Sequence, residues 1–258
     1  MRVVVIGSAA GHPTPRRAAT TSIALWRGEE LYLLDAGEGA AAGLARAEAG
    51  PEALRAVFIS HMHVDHVGGL AMLLQMLQLQ KRRRPLLVGL PPEGVEGLMG
   101  WLRTCYLRPE WLGFELEIAE VEEGRGYEQG GVAVEAIPTR HLEGFVERLR
   151  DLGEERPGQA FSYAVEADGR RLLYSSDLAF AWEAPERLRR ADLAIIEIAH
   201  FSPEELGGAL AGLPLPRLVL NHVPWALEGS EREVAARVRG AGYGGQVYVA
   251  HDGDEFEV

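Results

Sequence analysis

The chain has 258 residues, 47% of them apolar, enough to bury a sizeable core unaided. Its 26 basic residues are outnumbered by 38 acidic ones, and a net charge of −12 argues against a surface built to coat nucleic acid or anionic lipid, which demands clustered Lys and Arg. Cys105 is the one cysteine, which excludes intramolecular disulfides and thiolate zinc clusters; Lys81 is the one lysine, and a Schiff-base mechanism is set aside.

No stretch approaches 18 uninterrupted apolar residues, and Met1–Gly7 reads as a strand with a tight turn rather than a secretion signal. The expectation is a cytoplasmic protein with no membrane partner. Arg2–Ile6, Ser22–Trp26 and Leu31–Leu34 read as strands, the last two joined by a turn at Gly28-Glu29-Glu30. Gly39–Glu48 suits a helix and Arg55–Ser60 a strand. Leu70–Lys81 places Leu70, Leu73, Leu74 and Leu77 on one helical face, and Met72, Met76 and Leu79 are read as further core. The run Lys81-Arg82-Arg83-Arg84 is read as a solvated, dipole-complementing end to that helix.

Leu86–Leu90 reads as a buried strand, Glu93–Leu107 as a helix entered through Pro91-Pro92, and Phe114–Val121 and Val132–Ile137 as strands. Residues 142–160 carry five acidic and three basic groups with a Pro157-Gly158 breaker, and read as a surface excursion. Strands return at Ser162–Ala167 and Arg171–Ser175 around Asp168-Gly169, then at Leu193–Ile198, Leu218–Asn221 and Gln246–Ala250, with helical segments between. No linker divides the chain, so residues 1–258 are expected to form one α/β domain of helix-covered sheets.

The chemistry concentrates in Ser60-His61-Met62-His63-Val64-Asp65-His66-Val67-Gly68-Gly69, directly after an apolar strand. His61 and His63 are two apart, so at an extended strand end both imidazoles point the same way and can share a cation. Asp65 and His66 follow where the chain turns toward a helix and face a second position. Four ligands cannot fill two metal shells, so further ligands are expected at other strand ends, and His141, Asp177 and His222 each follow a predicted strand.

The His61–His66 segment resembles the HxHxDH signature of the metallo-β-lactamase superfamily, and the order His141, Asp177, His222 matches that superfamily's remaining ligands. Val5–Arg17 and Leu33–Gly39 resemble the opening of its ribonuclease Z-like branch. The resemblance implies a four-layer αββα sandwich of two mixed sheets flanked by helices, with two divalent cations. His61, His63 and His141 would hold the first, Asp65, His66 and His222 the second, and Asp177 would bridge them. Asp35 would brace a ligand histidine through its far nitrogen; its alternative is an Asp that forms the turn before Gly37. Zn²⁺ suits these nitrogen and oxygen ligands best, and Mn²⁺ or iron can occupy such sites. The resemblance also suggests a homodimer.

Two cations about 3.5–4 Å apart lower the pKa of a bound water from about 15.7 toward 7, so the expected reaction is hydrolysis by a metal-bridging hydroxide that Asp65 helps to orient. His200 is the candidate general acid, with Glu197 as its orienting carboxylate. That pair is closer in sequence than the branch usually has it, and capping, substrate contact or a structural role are the alternatives. His12 and His251 are candidates for the pocket rim.

The branch members that process transfer RNA are expected to carry a long basic arm between the third and fourth ligand motifs. Here 35 residues separate His141 from Asp177, and residues 142–160 have a net charge of −2. The expected substrate is therefore a small or nucleotide phosphodiester. Behind it stand precursor tRNA, which is disfavoured, then a carboxylic ester, thioester or lactone, then a metal-binding module without turnover.

Overall fold

The computed structural model describes residues 1–188 and 190–258. They cluster into two compact units, Met1–Glu122 with His251–Glu257, and Glu123–Ala250, each built on one seven-stranded mixed sheet.

The first unit contains β1 (Arg2–Gly7), β2 (Ser22–Arg27), β3 (Glu30–Leu34), α1 (Ala40–Arg46), β4 (Leu54–Phe58), α2 (Val64–Val67), α3 (Leu70–Leu79), β5 (Leu86–Leu90), α4 (Pro92–Thr104) and β6 (Leu116–Glu120). The C-terminal strand, Glu255–Glu257, pairs with β1 at the sheet edge. From there to β3 the pairs are antiparallel, and from β3 to β6 they are parallel. Strands buried on both faces carry near-continuous apolar runs, which is why Val3–Ile6 and Leu31–Leu34 show little alternation. One face of this sheet packs its Val4, Ile6, Leu33 and Val57 with the helical Leu44, Leu70, Leu73, Leu74 and Leu77 in one apolar cluster.

Two expectations fail on α3. Met72 and Leu79 are exposed, because they lie off the Leu70–Leu77 face, and only Met76 of that trio packs against the core. The basic run after the helix is solvated only in part: Lys81, Arg83 and Arg84 are exposed, whereas Arg82 is fully buried. Its guanidinium donates to the carbonyls of Leu54 and Pro85, at 2.7 Å each, and of Pro51, and lies 5.5 Å from the Phe114 ring centroid. Burial pulls its pKa below the usual value. The Arg83 and Arg84 N–H groups donate to the Glu52 carboxylate at 2.9 and 3.0 Å. The run therefore ties the α3–β5 connection to the segment before β4.

The second unit contains β7 (Gly126–Gln129), β8 (Val132–Thr139), α5 (Glu143–Asp151), β9 (Ala160–Ala167), β10 (Arg170–Tyr174), α6 (Ala184–Arg187), β11 (Leu193–Glu197), α7 (Pro203–Ala209), β12 (Arg217–Asn221), α8 (Glu231–Gly240) and β13 (Gln246–Val249). β7 to β10 form an antiparallel meander and β10 to β13 a parallel run. The Asp168-Gly169 turn has φ of 53° and 73°, the positive pair that matches strand twist in a two-residue hairpin. Leu206, Val234 and Val238 of the helices pack with Leu173, Ile196 and Leu218 of the strands.

The 142–160 excursion holds a nine-residue helix, α5, that buries only Val146. Antiparallel steps from β8 to β10 and parallel steps onward bring the C-terminal ends of β8, β10, β11 and β12 to one sheet edge. Ligands collect at such an edge. Among the described residues, no helix is long and apolar enough to cross a membrane.

Candidate metal and catalytic site

In the first unit the chain leaves β3 at Asp35 and β4 at Ile59. Asp35 sits at φ 60°, a left-handed conformation that Asp tolerates better than most residues, and it is fully buried. Its Oδ1 accepts the Ser60 N–H at 2.7 Å; its Oδ2 accepts the Ser60 hydroxyl at 2.9 Å and lies 2.7 Å from His66 Nδ1. An ionised carboxylate only accepts, so the His66 proton sits on Nδ1 and the Nε2 lone pair is left for a ligand. The His61 ring lies 4.6 Å from that of His63 and 4.2 Å from that of His66, centroid to centroid.

The two loops touch backbone to backbone. Ala36 N–H donates to His66 O at 2.8 Å and Gly69 N–H to Ala36 O at 2.9 Å, and a Cβ on Gly69 would stand 2.0 Å from Gly37 O. Asp65 is held from the N-terminal loop, where Gly11 N–H donates to its Oδ2 at 2.9 Å. That loop is anchored by Asp252, which accepts from Ser8 N–H, the Ser8 hydroxyl and Ala19 N–H at 2.9, 2.7 and 2.9 Å. His12, exposed, follows Gly11 and has its Nδ1 2.9 Å from Pro13 O. His251 N–H donates to Asp254 in the turn before the C-terminal strand.

In the second unit, His141, Asp177 and His222 leave β8, β10 and β12 at the shared edge, each at least nine-tenths buried. Asp177 Oδ2 lies 3.5 Å from His141 Nε2 and 3.4 Å from His222 Nε2. Metal–ligand bonds of about 2.0–2.1 Å in a tetrahedron give an edge of roughly 3.4 Å, so one carboxylate oxygen stands at ligand spacing from two imidazoles. Nitrogen and carboxylate donors at these separations fit a divalent cation.

Glu197 ends β11 with its side chain buried. Its Oε1 accepts Leu178 N–H at 2.7 Å, its Oε2 accepts Ala199 and His200 N–H at 2.9 and 3.0 Å, and both oxygens lie 2.9 Å from His200 Nδ1. This orients the imidazole and assigns its proton to Nδ1, leaving Nε2 to exchange protons. The His200 ring is 4.7 Å from that of His141 and 5.8 Å from that of His222. Its side chain is 36% exposed against 4% and 5% for those two histidines, and with Asp177 and His222 it forms a further group at ligand spacing.

Sequence reasoning missed Glu183. Its buried carboxylate accepts Arg140 N–H at 3.1 Å through Oε2, and Ala179 and Phe180 N–H at 2.8 and 3.0 Å through Oε1. It thus pins the turn that presents His141 to the loop that presents Asp177, which also meet where the Thr139 hydroxyl donates to Asp177 O at 3.0 Å. Nothing in the local pattern around Glu183 could have signalled this.

The beta-lactamase superfamily domain profile matches residues 31–228. The chain belongs to that superfamily. A ribonuclease Z of Methanosarcina acetivorans is 33% identical over 272 residues, covering 86% of this chain and 87% of that protein. A ribonuclease Z of Methanosarcina mazei is 32% identical over 144 residues, where the match spans 55% of this chain and only 45% of that protein. Zn²⁺-bound PqqB from Methylobacterium extorquens superposes over the whole of both chains with a TM-score of 0.78 at 19% identity, a likeness of fold. The chain is a ribonuclease Z-like member of the metallo-β-lactamase superfamily, a metal-dependent hydrolase of the α/β class.

Proposed function

We propose that residues 1–258 form one cytoplasmic hydrolase domain that cleaves a small or nucleotide phosphodiester. Following the ligand order of the family, His61, His63 and His141 would hold one divalent cation and Asp65, His66 and His222 another, with Asp177 bridging; Zn²⁺ suits the donor set best. Such cations supply Lewis acidity toward a phosphoryl oxygen and a hydroxide at neutral pH. The chain's own part is in the proton traffic. Asp65, fixed by the Gly11 N–H, orients the attacking water.

The observation that carries the reading is the Glu197–His200 pair. Phosphodiester cleavage expels an alkoxide that needs a proton, and an exposed imidazole oriented by a buried carboxylate beside His141 and His222 can deliver one from Nε2. A leaving group as good as p-nitrophenolate needs that proton less, so His200→Ala should slow an alkyl diester far more than an aryl one.

Precursor tRNA is the second reading, favoured by the ribonuclease Z relatives. Against it, residues 142–160, the part of the His141–Asp177 interval up to the first residue of β9, supply only α5 and a loop, together of net charge −2, where a phosphate backbone would need cations. The test is kcat/KM for bis-p-nitrophenyl phosphate against precursor tRNA at ~150 mM salt, where surface charges are screened beyond about 8 Å. The small diester should be the better substrate; efficient cleavage at the tRNA 3′ side would overturn the choice.

A further inference from the structure

The three ligand positions of the second unit share a feature that metal binding does not explain. Each is followed within a few residues by a large exposed aromatic: Phe145 after His141, Phe180 and Trp182 after Asp177, and Trp225 after His222. We propose that Phe180, Trp182 and the guanidinium of Arg140 form a stacking platform for the nucleobase of a nucleotide phosphodiester. This rests on the phosphodiesterase reading and names the substrate class.

Phe180 and Trp182 lie nearly parallel, 12° apart with centroids 5.4 Å from each other, and remain 44% and 56% exposed. The Arg140 guanidinium carbon lies 5.5 Å from one ring centroid and 5.7 Å from the other. Glu183 fixes the base of this group by accepting from both Arg140 N–H and Phe180 N–H.

The platform is a poor phosphate grip, because Glu143 balances the charge of Arg140 and takes two of its five N–H donors: Nε donates to Oε1 and a terminal nitrogen pairs with Oε2, both at 2.8 Å. What it offers outward is flat π surface beside a neutralised cation, which favours a planar heterocycle over a second phosphate. It is also too small for a second copy of the chain. Two half-exposed rings provide roughly 200 Å² against the ~800 Å² per partner of a stable interface. Arg140 directly precedes His141 and Phe180 follows Asp177 by three residues, so the platform backbone stands at most about 11 Å along the chain from those two positions.

The test compares thymidine 5′-(p-nitrophenyl phosphate) with methyl p-nitrophenyl phosphate, which share a leaving group and differ in carrying a nucleoside or a methyl group; the ring substitutions then separate the base from the sugar. The thymidine ester should have a kcat/KM about tenfold higher, the ~1.4 kcal/mol of a tenfold change, expressed in KM. In Phe180→Leu/Trp182→Leu, which keeps apolar bulk in the turn, the ratio should fall to about one, and Trp182→Leu alone should fall between. No advantage for thymidine, or an advantage that survives the double substitution, overturns the proposal.

Calorimetric binding of thymidine 5′-monophosphate against ribose 5-phosphate gives a second readout that needs no turnover. Preference for the nucleotide, lost in the double variant, supports the platform even if neither ester is hydrolysed, which would sink only the phosphodiesterase reading. A concentration-dependent dimer in sedimentation equilibrium that the double substitution dissociates would assign the rings to a protein interface and overturn the proposal.

Discussion

Asp35→Asn isolates the control that a buried carboxylate exerts on a ligand histidine. Asn is nearly isosteric and tolerates the φ of 60°, so backbone strain is unchanged. Its amide can be placed two ways. With nitrogen at the Oδ1 position, it would face the Ser60 N–H 2.7 Å away, and neither donor can yield. With nitrogen at the Oδ2 position, it faces the Ser60 hydroxyl at 2.9 Å, which can rotate its proton away, and His66 Nδ1 at 2.7 Å, where the clash is relieved by moving the imidazole proton to Nε2.

The second arrangement wins, and it puts the proton on the nitrogen that should ligate. Loss of such an outer partner costs about 10- to 100-fold in metal affinity or activity, or ~1.4–2.7 kcal/mol. Zn²⁺ affinity should be measured by competition with a chromogenic chelator, alongside kcat for bis-p-nitrophenyl phosphate. The affinity for the cation that His66 ligates should fall by that factor, and kcat with it. Affinities within twofold of wild type at both sites, with kcat unchanged, would refute the tautomer argument.

Glu183→Gln should lower stability by ~1.5–3 kcal/mol in urea denaturation, because one amide face must meet a backbone N–H; a change under about 0.5 kcal/mol would contradict the pinning role. Arg82→Met should cost at least ~2 kcal/mol, since the buried Leu54 carbonyl and the part-buried Pro51 and Pro85 carbonyls lose their donor, and near-neutral stability would show that water replaces it. The Arg171 N–H, followed by Arg170, holds the Asp192 carboxyl below its ordinary 3.8, so its stabilising contribution is complete above that pH and fades as pH falls through the folded value. Asp192→Asn should therefore lower the thermal midpoint at pH 7, and the gap to wild type should narrow as pH falls below 3.8; a gap that does not change with pH would point to packing instead.

The proposal of seven ligands draws on what a sequence carries locally, the spacing of His and Asp residues and their placement after apolar strands. Asp35 was legible because it ends a strand before a Gly-rich turn. Glu183 was not, because its role depends on the β8 exit and the Asp177 loop lying side by side, a long-range fact. β7, Gly126–Gln129, and the terminal Glu255–Glu257 escaped notice because polar edge strands lack the apolar alternation that marks a strand. Charge misled at 81–84, where a basic run suggested solvent and Arg82 instead satisfies carbonyls in the interior. Residue type misled at Met72 and Leu79, apolar side chains that helical phase turns outward.

The central proposal is that His61, His63, Asp65, His66, His141, Asp177 and His222 hold two cations that drive hydrolysis. Metal content after reconstitution with Zn²⁺, Mn²⁺ or Fe²⁺ and exhaustive dialysis, read together with turnover of bis-p-nitrophenyl phosphate, tests it most directly. The account predicts two equivalents per chain, activity that is lost on chelation and restored on reloading, and inactive but folded Asp65→Ala and His63→Ala variants. A stoichiometry near zero with every metal, or folded variants that turn over like wild type, would contradict it.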